Sequence, residues 1–358
     1  MIKKKFYNKK GVMAKHKLIF VLLPIYLITI ILTGCQPAIN NDKKDVDSQF
    51  ISKSAFLLNT FISISIYDKQ EEAILDQCME LIKKYEKIFS RTDPESELYA
   101  INNQTAPHEG LTYYISDEMS ELIAYGLYYS KLSDGAFDIS IAPVSSLWDF
   151  TGINPRLPSK EEINKALAYI DYKNIHLEGN KLTFAKEGIR LDLGAIAKGY
   201  IADKVKEYLL SQGVNSAIIN LGGNVLCLGT KPDGSYFKVG IQKPYADRNE
   251  TIAIMEINDM SVVSSGVYER YFTFEGNNYH HILNPKTGYP YNNNLISVSI
   301  ISKASVDGDG LSTSCFALGL DEGIKLLESI PDTYGIFITS DYEVHYTKGF
   351  KEAITLIE

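Results

Sequence analysis

Two oxygen-bearing side chains, Asp309 and Thr313, stand four residues apart in the segment DGDGLSTS that begins at Asp307. On a helix, residues at this spacing share a face. Carboxylate, hydroxyl and carbonyl oxygens are ligands that Mg²⁺ prefers, and protein-bound Mg²⁺ often bridges phosphates. Asp and Ser also open helices as N-caps, and taken alone this structural explanation outweighs the metal by roughly three to one.

A second segment, RLDLGAIAKGY, runs from Arg190 to Tyr200. Its pattern predicts a strand that ends at Leu193, a glycine at Gly194 and a helix that begins near Lys198. Such a junction presents backbone N–H groups to an anion, and Lys198 adds a positive charge suited to phosphate. The spacing of a P-loop is absent.

Three further segments combine small residues with polar groups. The segment DGAFD, residues 134–138, follows a predicted helix, and a helix stop with a turn explains it by itself. The segment NLGGN, residues 220–224, fits a hairpin turn. In YHHILNPKTGYP, residues 279–290, two histidines precede a turn. Adjacent side chains on a strand point to opposite faces, so His280 and His281 cannot both serve one site.

The surrounding pattern predicts elements that mix strands and helices without regular alternation. Helical apolar spacing occurs over residues 70–89, 117–132, 159–170, 198–212 and 307–318, and the third of these begins with a capping box. Strand patterns include residues 56–67, 190–193, 217–221, 225–228, 236–241, 251–257, 268–274 and 295–301. We therefore expect an α+β fold with mixed or antiparallel sheets and flanking helices rather than a doubly wound sheet.

The N-terminus has the pattern of a bacterial lipoprotein signal. Seven lysines and no acids precede an apolar run, which ends at Leu32-Thr33-Gly34-Cys35. We expect a signal over residues 1–34, lipidation of Cys35, a flexible tether over 35–50 and a domain over 51–358. Met13 is an alternative start. An uncleaved membrane anchor is less favoured, because the run is short of ~20 residues and contains Pro24.

Charge and cysteine content argue against two classes of function, nucleic-acid binding and a zinc or disulfide site. Without the seven signal lysines, 29 basic residues face 44 acidic ones. This excess of negative charge argues against nucleic acid as a partner. The remaining cysteines, Cys78, Cys227 and Cys315, are widely spaced, and we expect free buried thiols rather than a disulfide or zinc site.

Taken together, these segments resemble the ApbE family, the FAD:protein FMN transferases, which implies an ApbE-like (T-fold-like) α+β architecture. The resemblance covers most of the chain after the signal and follows the family's order. Some residues depart from the family's usual choices: Asn59 for Gly, Asn284 for Asp, Gly308 and Gly310 for alanines, and Thr92 for an aromatic found in some members. The segments that carry the resemblance are Leu58-Asn59-Thr60, residues 96–102, 135–138, 192–199, 220–223, Ser265-Gly266, residues 281–290 and 309–313.

The resemblance implies that FMN is transferred from FAD to a Ser or Thr hydroxyl of an acceptor protein and that AMP leaves. It implies Mg²⁺, one ion or two, as cofactor and His281 as the residue that deprotonates or positions the incoming hydroxyl. The implied metal ligands are Asp309, Thr313 and the backbone oxygen of Ala195, with Ser312 nearby. The implied FAD contacts are Leu58, Ala136, Phe137, Asp138, Asp192, Lys198 and Leu283.

Two other functions stay open on the sequence. An FAD pyrophosphatase would use the same metal site with water as the nucleophile, and a flavin-binding lipoprotein would not need His281. With a lipid anchor, we expect the chain on the extracytoplasmic face of the cell membrane. Its acceptor would then be a membrane or extracytoplasmic redox protein.

Overall fold

The computed structural model describes residues 50–150, 155–247 and 250–357. The predicted signal, Cys35 and all but the last residue of the tether lie outside these ranges. The described residues all belong to one compact unit. Within them, no helix has the length and apolar character needed to cross a bilayer.

Seventeen strands occur among the described residues, and they form four sheets. Their bounds are β1 (Ile51–Leu57), β2 (Thr60–Ile66), β3 (His108–Glu109), β4 (Thr112–Tyr114), β5 (Ile175–Glu178), β6 (Lys181–Phe184), β7 (Ala217–Leu221), β8 (Asn224–Leu228), β9 (Phe237–Gln242), β10 (Thr251–Ile257), β11 (Ser261–Gly266), β12 (Tyr271–Phe274), β13 (Asn277–His280), β14 (Leu295–Ser302), β15 (Tyr334–Thr339), β16 (Val344–Tyr346) and β17 (Thr355–Ile357).

Nine α-helices lie between these strands in the described part of the chain, with short 3₁₀ turns at Ile139–Ile141 and Tyr172–Asn174. The helix bounds are α1 (Glu72–Phe89), α2 (Glu97–Asn102), α3 (Asp117–Leu132), α4 (Ala142–Ser145), α5 (Lys160–Leu167), α6 (Ala197–Ser211), α7 (Ser305–Leu318), α8 (Leu320–Glu328) and α9 (Phe350–Ala353).

The main sheet is antiparallel, in the order β1-β2-β7-β8-β11-β14-β15-β16, and it separates two apolar cores. Side chains alternate across a strand, so Ile219 faces the core that contains α1 and α6, whereas Ile218 packs on the core beneath the sheet β17-β10-β9. The remaining sheets are β3-β4-β6-β5 and the hairpin β12-β13. The predicted α+β class with antiparallel sheets and flanking helices is confirmed.

Two strand predictions were wrong in detail. The pattern over residues 56–67 is a hairpin: Leu58 and Asn59 both have φ of 55° and form the turn between β1 and β2. Asn tolerates this left-handed conformation better than most residues, which explains why it can stand where the family uses Gly. The segment 190–193 joins no sheet. Instead, the Asn102 side chain accepts from the Leu191 N–H at 2.7 Å and donates to the Leu191 carbonyl at 2.8 Å.

Other local predictions hold. Ser159 and Glu162 form the capping box of α5, and Gly222 and Gly223 form the turn between β7 and β8. The cysteines Cys78, Cys227 and Cys315 are buried and free.

Candidate functional site

Helix α7 runs through the centre of the protein and is buried over most of its length. Its glycines fit close neighbours, because a Cβ atom at Gly308 would lie 2.6 Å from Val263 Cγ2, and one at Gly310 would lie 2.3 Å from the Tyr129 ring. Tyr129 also donates a hydrogen bond to Asp307. The two glycines that depart from the family pattern therefore give space to larger side chains on β11 and α3.

The first turn of α6 meets α7 at Asp309. A Cβ atom at Gly199 would lie 2.3 Å from the Ser305 carbonyl oxygen, so only glycine permits this approach. The Gly199 N–H donates to Asp309 Oδ2 at 2.5 Å. Gly199 is the third residue of α6, so its N–H is one of the donors that the first turn of a helix leaves without a backbone partner. Ala195 lies just before the start of α6, four positions before Gly199 in the chain, and its carbonyl oxygen stays a predicted ligand.

The hydroxyl groups of Ser312 and Thr313 gather at Ser265 on β11. Ser265 Oγ lies 2.8 Å from Ser312 Oγ and 3.2 Å from Thr313 Oγ1. Ser312 Oγ also donates to the Asp309 carbonyl oxygen at 3.1 Å. These contacts bring the predicted oxygen ligands of α7 together with the start of α6.

This donor set fits Mg²⁺, which takes few carboxylates and retains several waters. Among the described residues, no three His, Cys, Asp or Glu side chains cluster as they would in a multi-carboxylate or zinc site. The candidate ligands are instead one carboxylate and hydroxyls, with the Ala195 carbonyl as a further predicted ligand.

The electrostatics at Asp309 reflect its burial. Burial raises its pKa, while the positive charge of Lys198 and hydrogen bonds from Gly199 and Asn224 act in the opposite direction. The Asn224 Nδ2 group donates to Asp309 Oδ1 at 3.2 Å. Each carboxylate oxygen therefore has one donor from the protein, and Lys198 stands close enough to supply charge.

Asp192 anchors a second part of the site. Its carboxylate accepts hydrogen bonds from Ser145 Oγ at 2.9 Å and from the Gly194 N–H at 3.1 Å, and Arg91 Nε lies 3.6 Å away. Burial alone would raise the pKa of Asp192, but Arg91, these hydrogen bonds and Arg270 together lower it. Asp192 is therefore held as a carboxylate.

Sequence reasoning missed Arg91, because no local motif surrounds it. Arg91 Nη1 donates to the hydroxyl groups of Ser145 and Ser146 at 2.9 and 3.0 Å. Its position after the end of α1 was the sole available signal, and only the fold shows that it reaches Asp192.

His281 follows β13 and has one ring nitrogen committed. Its Nδ1 lies 3.2 Å from the Arg270 carbonyl oxygen, which can only accept, so Nδ1 carries the proton. Nε2 is then the basic nitrogen, and no residue in the described part of the chain hydrogen-bonds to it. Burial, followed by the charges of Arg270, His280 and Lys198, lowers the pKa of His281 to about 3. The neighbouring His280 is separate, as predicted: its Nε2 lies 2.9 Å from the Tyr291 carbonyl oxygen.

Asn284 forms its hydrogen bonds within its own turn. Its Oδ1 accepts from the Lys286 N–H at 2.8 Å, and its carbonyl accepts from the Gly288 N–H at 2.7 Å. An Asp side chain would make the same turn, so the substitution leaves the loop geometry unchanged.

One residue predicted to contact FAD lies at the tip of a hairpin. Leu58 lies at the tip of the β1–β2 hairpin, where its N–H donates to Glu86 Oε1 at 2.7 Å. Thr60 beside it contacts the Gly222 turn, since a Cβ atom on Gly222 would lie 2.4 Å from Thr60 Oγ1. Two predicted sequence segments are thus brought side by side.

The other residues predicted to contact FAD make packing contacts and hydrogen bonds within the protein. Phe137 and Leu283 are buried in apolar clusters, and the Ala136 carbonyl accepts from Tyr291 Oη at 2.9 Å. Asp138 Oδ1 accepts from the Ser140 N–H at 2.8 Å and Oδ2 from the Tyr172 N–H at 3.0 Å. Contact of these residues with FAD stays a prediction.

Comparison with known proteins agrees with this arrangement. The ApbE family model matches residues 58–338. The chain belongs to the ApbE family. It is 37% identical over 300 residues to an FAD:protein FMN transferase of Klebsiella pneumoniae, covering 83% of this chain and 92% of the relative. A second such transferase, from Treponema pallidum, is 29% identical over 326 residues, covering 86% and 89%.

Solved structures of the ApbE family have the same fold. The ApbE protein of Thermotoga maritima superposes with a TM-score of 0.76 and 31% identity, covering 85% of this chain and 99% of that one. The flavin transferase ApbE of Vibrio cholerae superposes with a TM-score of 0.75 and 26% identity, and it covers the same shares of the two chains. The chain is therefore an enzyme, a transferase by family.

Proposed function

We propose that the protein transfers FMN from FAD to a Ser or Thr hydroxyl of an acceptor protein with the help of Mg²⁺. The observation that supports this most is the meeting of Asp309 on α7, one turn before Thr313, with the start of α6. The positive charge of Lys198 is close enough to act on both Asp309 and His281. The two sequence relatives described above are named FAD:protein FMN transferases, which supports the same reaction here.

The charges around the site suit a dianionic substrate. The chain as a whole carries a formal charge of −8, yet Arg91, Arg270 and Lys198 surround Asp192, Asp309 and His281. Local positive charge in an acidic protein favours binding of the FAD pyrophosphate. Asp309, Thr313 and the Ala195 carbonyl would hold Mg²⁺, which would neutralise charge on the phosphate oxygens when bound.

The free Nε2 of His281 supports a role in activating the acceptor. The acceptor hydroxyl donates its hydrogen bond to Nε2, and its oxygen forms a bond to the phosphorus of the FMN half. The bond between that phosphorus and the AMP phosphate oxygen breaks, so that AMP leaves. The proton passes to His281, and the products are a phosphodiester-linked FMN and AMP. Positioning and charge neutralisation supply most of the acceleration in such reactions.

The test uses mass spectrometry of a candidate redox protein after incubation with the enzyme, FAD and Mg²⁺. We expect a mass gain equal to FMN minus water. Asp309→Ala should abolish the gain, and activity of this variant at saturating Mg²⁺ would refute the assigned ligand. Free FMN and AMP without a modified acceptor would support the pyrophosphatase, and unchanged FAD would support a binding protein.

We also propose that the chain acts as a lipoprotein on the outer face of the cell membrane. The support is the sequence pattern that ends at Cys35. Cys35→Ser should move the protein from the membrane fraction to the soluble fraction of cells without changing activity in detergent extract. Equal membrane association of both forms would contradict a lipid anchor at this residue.

A further inference from the structure

A buried chain of polar groups leads away from Asp309 on the side opposite Gly199. Asn224 Nδ2 donates to Asp309 Oδ1, and Asn224 Oδ1 accepts from Ser305 Oγ at 2.7 Å. Ser305 Oγ in turn accepts from Ser261 Oγ at 2.8 Å. All four side chains are buried, at 5% exposure or less.

The direction of every bond in this chain is fixed. A serine hydroxyl has one proton. The ionised Asp309 carboxylate can only accept, so the NH₂ group of Asn224 points at it and the amide oxygen points at Ser305. Ser305 therefore gives its proton to Asn224 Oδ1 and accepts from Ser261, which also donates to the Val225 carbonyl oxygen at 3.3 Å. The amide cannot flip without placing its oxygen against the carboxylate, an arrangement with no donor between the two.

Ser305 is itself fixed from a second helix. The Asp203 carboxylate on α6 accepts from the backbone N–H groups of Ser305 and Val306 at 2.8 and 2.9 Å. Asp203 therefore caps the start of α7, while Gly199, one turn earlier on α6, bonds to Asp309. Contacts between α6 and α7 therefore fix both the Asp309 carboxylate and Ser305, which orients the Asn224 amide.

We propose that Asn224 and Ser305 are positioning residues for the metal ligand Asp309. They hold one carboxylate oxygen in a fixed orientation, so that the remaining lone pairs of the carboxylate are free for an ion shared with Thr313 and the Ala195 carbonyl. This inference rests on the proposed Mg²⁺ site. Groups that hydrogen-bond to a metal ligand typically contribute 10–100-fold to metal affinity.

The test measures Mn²⁺ binding by electron paramagnetic resonance with FAD present and no acceptor protein. We expect Asn224→Ala to weaken Mn²⁺ binding about 10–100-fold and to change the Mn²⁺ line shape. Ser305→Ala keeps the Asn224 amide but removes the hydroxyl that orients it. We therefore expect a smaller loss of Mn²⁺ affinity than in Asn224→Ala. Ser305→Ala also serves as the second variant if Asn224→Ala does not fold.

Ser299→Ala is the matched control. Ser299 is buried on β14 and shares a hydroxyl hydrogen bond of 2.7 Å with Ser264 on β11, outside the polar chain that leads to Asp309. It should lose stability and leave Mn²⁺ affinity unchanged. Mn²⁺ affinity within twofold of the wild type in both Asn224→Ala and Ser305→Ala, or an equal loss in Ser299→Ala, would overturn the proposal. Failure of the wild type to bind Mn²⁺ would instead reject the metal site itself.

Discussion

At the scale of single residues, the proposed transfer depends on the ring of His281. Its Nδ1 is tied to the Arg270 carbonyl, and the cations Arg270 and Lys198 stand near it. A ring with a pKa of about 3 is neutral at physiological pH, which keeps Nε2 free to accept a hydrogen bond. Phosphate oxygens of bound FAD would offset the nearby cations and make the ring a stronger base.

We expect a histidine titration that shifts with substrate. By heteronuclear NMR, the His281 ring of the free enzyme should stay neutral from about pH 8 down to about pH 5, and its pKa should rise when FAD is added. The folded state then binds fewer protons than the unfolded chain between pH 6.5 and 3, so this group lowers stability as the pH falls through that window. Titration near 6.5 in the folded free enzyme would contradict the assignment, and the urea-unfolded protein supplies the reference.

His281→Ala separates binding from transfer. We expect FMN transfer to fall by about 10²–10⁴-fold, the usual contribution of a general acid–base group. FAD affinity, measured by quenching of flavin fluorescence, should change little because the phosphate-facing groups remain. Equal loss of FAD affinity would show that the ring acts in substrate binding instead.

At the scale of elements, the site depends on how closely α6 and α7 approach. Gly199 meets backbone atoms, because a methyl group at this position would lie 2.3 Å from the Ser305 carbonyl oxygen. Gly126 on α3 is also crowded, though less so, and the nearest atoms there belong to side chains, with Ile139 Cγ2 at 2.6 Å. A rotamer change can relieve the second contact, whereas the first requires the helices to separate.

Gly199→Ala should therefore be much more harmful than Gly126→Ala. Both substitutions gain about 1 kcal/mol of helix propensity. We expect Gly199→Ala to lower the free energy of unfolding by about 1–3 kcal/mol and to lose metal binding, because its N–H holds Asp309. Denaturant unfolding of both variants checks this, and comparable losses would show that the helix contact is more adaptable than the structure indicates.

At the scale of the whole molecule, stability should depend on the cap between the same helices. Burial raises the pKa of Asp203 to about 6, against the hydrogen bonds from Ser305 and Val306, which lower it. The folded state thus binds more protons than the unfolded chain between pH 3.8 and 6. Stability from this group falls as the pH rises through that window and stays reduced above it.

Asp203→Asn should remove that dependence, because the amide does not titrate. The difference in unfolding free energy between wild type and variant should change by at most about 3 kcal/mol between about pH 4 and about pH 6.5. Urea titrations across this range measure it. A constant difference would show that folding leaves the pKa of Asp203 unchanged. Asp233→Asn, at an exposed turn position, is the control.

The sequence alone was enough for the fold class and for the family, and it supplied the candidate site residues. Apolar periodicity is local, so the helices α1, α3 and α6 and the capping box at Ser159 could be predicted from neighbouring residues. Ordered segments such as residues 192–199 and 309–313 indicated the ApbE family and its proposed ligands, because each segment keeps its chemistry within a few positions.

Only the tertiary structure decided which distant groups meet. Asp309 and Gly199 are 110 positions apart in the sequence. The side chain of Asn102, 89 positions from Leu191, makes the backbone hydrogen bonds that a neighbouring strand would otherwise make. No periodicity encodes such pairs, because they depend on how helices and sheets pack around the core. For the same reason, Arg91 beside Asp192 and the chain from Ser261 through Ser305 to Asn224 became visible only once the fold had brought them together.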